Sequence, residues 1–342
     1  MPQITLEPGG HVFTCETDVT ILTAALRAGL LIPYGCKNGA CGSCKGRVLA
    51  GEVELGPHQA TTLTAIERTQ GKALFCVARP LGDVTIEARD VRKQGDVVLK
   101  TLPCRVERTA RVADDVMIVH IKLPASERLQ YRAGQYLEFL LKDGQRRSFS
   151  IANAPHDDAL LELHIRHLPG GLFTDRLFGV GQPAIKERDI LRFEGAHGGF
   201  YLRDSDKPII LLASGTGFAP IKAIIEHMRH TGDPRAVTFY WGGRRPRDLY
   251  LDALVRQWAS SEPARFRYVP VVSDALPEDG WTGRTGFVHR AVMEDFADLS
   301  QHQVYACGAP IVVDSAQRDF TTQCALPESE FFADSFTVAA AI

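Results

Sequence analysis

The chain has 342 residues, with 39 basic and 41 acidic side chains and a net charge of −2. At roughly 100–200 residues per domain, that length predicts two or three domains, and 45% apolar residues suffice for packed cores. The balanced charge and the lack of a long basic run argue against nucleic-acid binding.

The first segment, about residues 1–92, opens with strand-like alternation at 3–6 and 11–15. A helix is expected over 20–28, with Ile21, Leu22, Ala25 and Leu26 on one side and Gly29 at its C-terminal cap. A glycine- and cysteine-rich loop follows from Gly35 to Gly46. Polar, turn-forming stretches at 89–96 and 203–208 bound a middle segment, about 101–203. Its short apolar runs at 116–121, 136–140 and 160–165 suggest a β-sandwich or barrel. The last segment, about 207–342, begins with a near-continuous apolar run at 208–213, as in a strand buried on both faces. A glycine turn, a helical pattern over 218–229, and runs at 237–241, 266–272 and 303–306 read as a doubly wound α/β unit.

The start, Met1-Pro2-Gln3-Ile4-Thr5, lacks the basic-then-apolar pattern of a secretory signal. The apolar stretch at 209–213 is far too short to span a bilayer. A cytoplasmic protein without a membrane segment is expected. In that compartment eight cysteines point to metal or redox chemistry rather than disulfides.

Cys36, Cys41 and Cys44 are spaced x4 and x2, and Cys76 follows some thirty residues on. This is the plant-type ligand spacing for a [2Fe–2S] cluster. Zinc sites favour paired x2 knuckles, and only one x2 pair is present. Gly35, Gly39, Gly42 and Gly46 allow the backbone to bend close to the sulfurs and aim N–H groups at them. Cys15 and Cys104 fit no such spacing and read as small buried hydrophobes. The run from Tyr34 to Cys44 closely resembles the cysteine loop of plant-type ferredoxins, which implies a β-grasp fold, an α+β architecture, for this segment.

Arg147-Ser148-Phe149-Ser150 resembles the R-x-Y-S flavin motif of the ferredoxin–NADP reductase superfamily, with Phe149 in place of the usual Tyr. The resemblance implies an antiparallel β-barrel that binds FAD. Arg147 would pair with the diphosphate, Phe149 would pack on the ring system, and Ser150 would hydrogen-bond near N5. In that family the strand edge matching His164-Ile165-Arg166 contacts the flavin. The turn matching Gly170, Gly171, Leu172 and Thr174 caps a helix at the diphosphate. The alternative is an ordinary helix capped at Thr174.

Gly215-Thr216-Gly217-Phe218-Ala219-Pro220 resembles the superfamily's G-T-G-x-A-P nicotinamide motif, and Cys307-Gly308-Ala309-Pro310 its C-G-x-P motif. This implies a Rossmann-like α/β module with the Cys307 thiol beside the nicotinamide, or else simply a buried strand-end thiol. Arg244, Arg245 and Arg247 follow the second strand. They either hold a 2′-phosphate, bind the diphosphate, or are solvated loop charges; NADH is favoured over NADPH. Phe332 and Phe336 either cover the flavin, as chain ends in this family do, or are plain core.

Taken over the whole length, the chain resembles bacterial reductases with an N-terminal ferredoxin fused to a ferredoxin–NADP-reductase-type body. These serve Rieske oxygenases, soluble monooxygenases or a deoxysugar dehydrase. The resemblance implies electron flow from NAD(P)H through FAD and the cluster to a partner protein, most simply a terminal oxygenase component. The alternatives are a dehydrase partner, or a redox carrier or sensor with a dead nicotinamide site.

Overall fold

The computed structural model describes residues 1–60, 62–88, 91–93, 99–142 and 144–336. They form two compact units. The first comprises the described part of residues 1–93, Gly198–Phe200 and residues 332–336. The second comprises 99–197, without residue 143, and Tyr201–Phe331. The flavin-like and nicotinamide-like segments thus share one unit.

In the first unit, strands β1 (Gln3–Glu7), β2 (His11–Thr14), β3 (Lys45–Ala50), β4 (Lys72–Leu74) and β5 (Val84–Glu87) form a sheet of order β2-β1-β5-β3-β4. The β1–β5 pair is parallel and the others are antiparallel. Helix α1 (Ile21–Arg27) is capped by Thr20, whose Oγ1 accepts from Thr23 N at 3.3 Å. Gly29 follows the helix in the left-handed region, at φ 71°. Ile21, Leu22 and Ala25 join Ile4, Leu6 and Phe75 in the core. This is the β-grasp arrangement.

In the second unit, six strands form an antiparallel barrel. They are β6 (Lys100–Ala113), β7 (Val116–Lys122), β8 (Tyr136–Leu140), β9 (Arg146–Ser150), β10 (Leu161–Arg166) and β11 (Ile190–His197), in the order β9-β8-β11-β6-β7-β10. A bridge between Ile151 and Leu163 closes β9 onto β10. Continuing that antiparallel register puts Ser150 opposite His164 and Ala152 opposite Glu162; Ala152 N donates to Glu162 O at 2.7 Å.

The rest of this unit is built on a sheet whose four central strands are parallel: β12 (Ile209–Ser214), β13 (Val237–Gly243), β14 (Phe266–Val272) and β15 (Gln303–Gly308), in the order β14-β13-β12-β15. Five of the six β12 residues are buried, as the apolar run predicts for a central strand. Helix α2 (Phe218–Thr231) follows β12 through a short 3₁₀ turn, and the left-handed Gly232 ends it. This is the doubly wound, Rossmann-like architecture. Among the described residues no helix is long and apolar enough to cross a membrane.

Candidate functional site

Four cysteines converge in the first unit. Cys36 Sγ accepts the N–H groups of Ala40 and Cys41, both at 3.3 Å, and Cys36 N donates to Cys41 Sγ at 3.4 Å. The Cys76 thiol lies beside those of Cys36 and Cys44. Gly39 sits at φ 78°, and a Cβ there would lie 2.7 Å from Pro57 O, so only glycine lets the loop turn at this point. Cys41, Cys44 and Cys76 are buried. The Cys36 thiol and burial push the Cys41 thiol well up. Four crowded sulfurs with N–H groups aimed at them are a donor set suited to a small iron–sulfur cluster.

In the barrel, Arg146 pairs with Glu138 at 3.1 Å and Glu194 at 2.7 Å. Arg147 contacts only Arg146 O and Gln145 Oε1 among the described residues, which leaves its guanidinium without a carboxylate. Ser150 is 6% exposed, and its hydroxyl has no hydrogen-bond partner among the described residues. A cation without a carboxylate and a largely buried hydroxyl on one strand fit an anionic, polar-edged cofactor. Phe149 is half-buried, with its ring 5.9 Å from Phe139 and 5.1 Å from Phe173.

The nicotinamide-type turn is held by close packing. Gly217 has an ordinary helical φ of −57°, yet a Cβ there would come 2.2 Å from Cys307 O and 2.8 Å from Gly308 Cα. Ser214 Oγ accepts from Ala309 N at 2.9 Å. The two glycine motifs therefore meet at the C-terminal ends of β12 and β15, where open α/β sheets bind ligands. Cys307 is wholly buried there. A Cβ on Gly215 would lie 3.0 Å from Arg166 Nη1, so Arg166 of β10 reaches over this turn.

A polar chain joins the same elements. His164 Nδ1 lies 2.8 Å from Tyr250 Oη, and His164 Nε2 lies 2.7 Å from Glu162 Oε1. Lys222 of α2 is 6% exposed; its ammonium pairs with Glu162 at 3.1 Å and Glu226 at 2.7 Å, and donates to Ala152 O at 3.3 Å. Burial holds the His164 imidazole below the ordinary histidine value.

Three domain families match in chain order. They are a 2Fe-2S iron-sulfur cluster binding domain at residues 4–81, an oxidoreductase FAD-binding domain at 103–201, and an oxidoreductase NAD-binding domain at 211–318. The CDP-6-deoxy-L-threo-D-glycero-4-hexulose-3-dehydrase reductase of Yersinia pseudotuberculosis is 39% identical over 333 residues, covering 97% of this chain and 98% of that protein. The chain belongs to the iron–sulfur flavoprotein reductases. Reductase component 1 of terephthalate 1,2-dioxygenase from Comamonas is 33% identical, over 98% of this chain and 97% of that one. The crystal structure of the Amycolatopsis cytochrome P450 reductase GcoB superposes with a TM-score of 0.78 at 33% identity, over 99% of this chain and 100% of that one. As a member of this family, the protein is an NAD(P)H-dependent oxidoreductase that carries FAD and a [2Fe–2S] cluster.

Against that background, several expectations for a reductase of this family meet a different geometry. The Thr174 hydroxyl binds back into its own turn: it donates to Leu168 O at 2.9 Å and accepts from Leu168 N at 3.2 Å. The helix that follows spans only Thr174–Leu177, and its N-cap is Phe173 without a side-chain bond. The N–H of Gly170 is taken by the Asp175 carboxylate at 3.1 Å, and Gly171 is folded tightly against Leu168 O. Leu172 is 47% exposed. Ile165 is fully buried in the barrel core, so its side chain belongs to packing. Of the three arginines, Arg245 is bound to Asp279 at 2.7 Å and Arg247 to Asp114 at 3.3 Å. Arg244 is exposed and its side chain is unpaired among the described residues. Phe336 is half-buried and groups with the ferredoxin-like unit.

The residues that sequence reasoning missed are Glu162, Lys222 and Tyr250. One available signal was Lys222, a lone cation within the apolar run Phe218-Ala219-Pro220-Ile221-Lys222-Ala223-Ile224-Ile225, four residues before Glu226. Replacing Lys222 with Met leaves two acidic groups without their shared cation. The expected cost is about 3 kcal/mol, seen as a lower thermal midpoint for flavin release; an unchanged midpoint would show that the pairing is not structural.

Proposed function

We propose that this reductase takes a hydride from NADH and delivers single electrons to the terminal component of a multicomponent oxygenase, in the cytoplasm. Its modules are residues 1–92 for the cluster, 101–203 for FAD and 207–342 for the nicotinamide. When bound, FAD supplies the conversion of one two-electron hydride into two one-electron deliveries. The protein binds, orients and insulates.

In this reading Cys36, Cys41, Cys44 and Cys76 hold the two irons. Arg147 grips the flavin diphosphate, Phe149 packs beside the ring, and Ser150 offers its hydroxyl near N5. Ser148 and the edge of β10 at His164, Ile165 and Arg166 complete the flavin strand pair. Gly170, Gly171, Leu172 and Thr174 shape the turn beside the diphosphate from within. Gly215, Thr216, Gly217 and Gly308 bring the dinucleotide close to the backbone, and Cys307 sets the nicotinamide against the flavin. Arg244 meets the adenosine ribose. The observation that carries the reading is the convergence of four sulfurs in one unit, together with the packed Gly217–Cys307 corner in the other.

Only Arg244 among the three arginines is uncommitted, which supports a preference for NADH. The expected kcat/KM for NADH exceeds that for NADPH by about tenfold, equivalent to ~1.4 kcal/mol; equal values would remove the assignment of Arg244.

The full-length match to the dioxygenase reductase component supports an oxygenase partner. The match to the Yersinia dehydrase reductase favours a second reading, a deoxysugar dehydrase partner. A pull-down from the native host with the NADH-reduced protein decides between them. An acceptor with a Rieske, diiron or haem centre supports the first, and a sugar dehydrase supports the second.

A further inference from the structure

The last described residues pack on the cysteine loop, within the same compact unit. Ser43 Oγ donates to the carbonyl of Ala333 at 2.9 Å, and Cys41 Sγ lies 3.3 Å from Ser43 Oγ. One residue further on, the carboxyl of Asp334 faces Gly35. A Cβ built on Gly35 would stand 3.0 Å from Asp334 Oδ1, 3.2 Å from Cys41 Sγ and 3.4 Å from Ser43 Oγ. A carboxyl, a hydroxyl and a sulfur therefore surround one point. Asp334 is 5% exposed, and its carboxyl has no hydrogen-bond partner among the described residues. The neighbouring Ser335 Oγ is buried and equally unpaired. A buried carboxyl without partners is costly and calls for a reason.

We propose that residues 333–334 are part of the iron–sulfur site and hold its potential low, so that the cluster is a stronger reductant than the cysteine loop alone would make it. The assignment rests on Cys41 as a cluster ligand. Two effects of the same sign support it. A carboxylate close to a cluster disfavours the arrival of a further electron. Ser43 has a single hydroxyl proton and places it on Ala333 O, so it turns lone pairs rather than a donor toward Cys41 Sγ. Hydrogen bonds donated to the sulfurs would raise the potential; here the docked segment diverts one. Nothing in the cysteine spacing signals this, because Ser43 and Ala333 are 290 positions apart.

The test is an EPR-monitored redox titration of the full-length holoprotein and three variants. It is run at pH 9, far above the ordinary carboxyl range. Asp334→Asn is expected to shift the midpoint upward, and Asp334→Glu to restore the wild-type value. Ser43→Ala is expected to leave the midpoint unchanged or raise it. An Asp334→Asn midpoint equal to wild type, or a Ser43→Ala midpoint lower than wild type, overturns the proposal. Absence of any cluster signal in the wild-type protein would instead overturn the ligand assignment beneath it.

Discussion

Cys41→Ser is expected to leave reduction of the flavin by NADH near its wild-type rate and to cut cytochrome c reduction by on the order of a hundredfold or more. Cys41 is 4% exposed, and its sulfur takes the N–H of Cys36 and contacts Ser43. A serine oxygen at that position is a harder and shorter-reaching ligand for iron than a thiolate. The proposed hydride-transfer residues Arg147, Ser150, Gly217 and Cys307 all belong to the other compact unit, so the first half-reaction keeps its scaffold. Stopped-flow absorbance separates the halves: flavin bleaching reports the first, and cytochrome c reduction reports the relay. Wild-type cytochrome c activity in this variant would contradict electron flow through the cluster.

The second large effect is expected at Gly217. Its backbone is ordinary helix, so the need for glycine there is a matter of space. An alanine Cβ would lie 2.2 Å from Cys307 O and 2.5 Å from Cys307 C, closer than any real contact. The main chains of the two nicotinamide motifs must then part, which moves Cys307 from its place at the end of β15. A displacement of about 1 Å in a hydride-transfer geometry costs on the order of a hundredfold in rate. Gly217→Ala is therefore expected to slow NADH-driven flavin reduction by that factor, while dithionite reduces flavin and cluster normally. If NADH still bleached the flavin within about threefold of wild type, the packed corner would have no part in positioning the nicotinamide.

The parts of the site that sequence reasoning could reach share one property: their chemistry is local. The spacing of Cys36, Cys41 and Cys44 states its purpose within nine residues. The apolar run ending at Ala213 marks a strand covered on both faces, and the glycines after it mark the turn. The β-grasp, barrel and parallel-sheet architectures follow from such runs together with the family resemblance. What stayed hidden depends on pairs made by folding. Lys222 and Glu162 meet only because α2 comes to rest beside the barrel, and Tyr250 reaches His164 across 86 positions. The local bonds of the Thr174 turn were hidden too: the hydroxyl binds back to Leu168, and Asp175 takes the N–H of Gly170. Likewise, three arginines within four residues look alike until Asp279 and Asp114 claim two of them.

The central claim is that electrons pass from a nicotinamide through one flavin to one two-iron cluster within this single chain. Anaerobic titration of the purified full-length protein with NADH, followed by visible absorption and EPR, tests it most directly. The account predicts yellow-brown protein with two irons and one FAD per chain, bleaching of the flavin band, and growth of a reduced [2Fe–2S] signal. A colourless protein, or one whose flavin is reduced by NADH while no cluster signal ever appears, would contradict it.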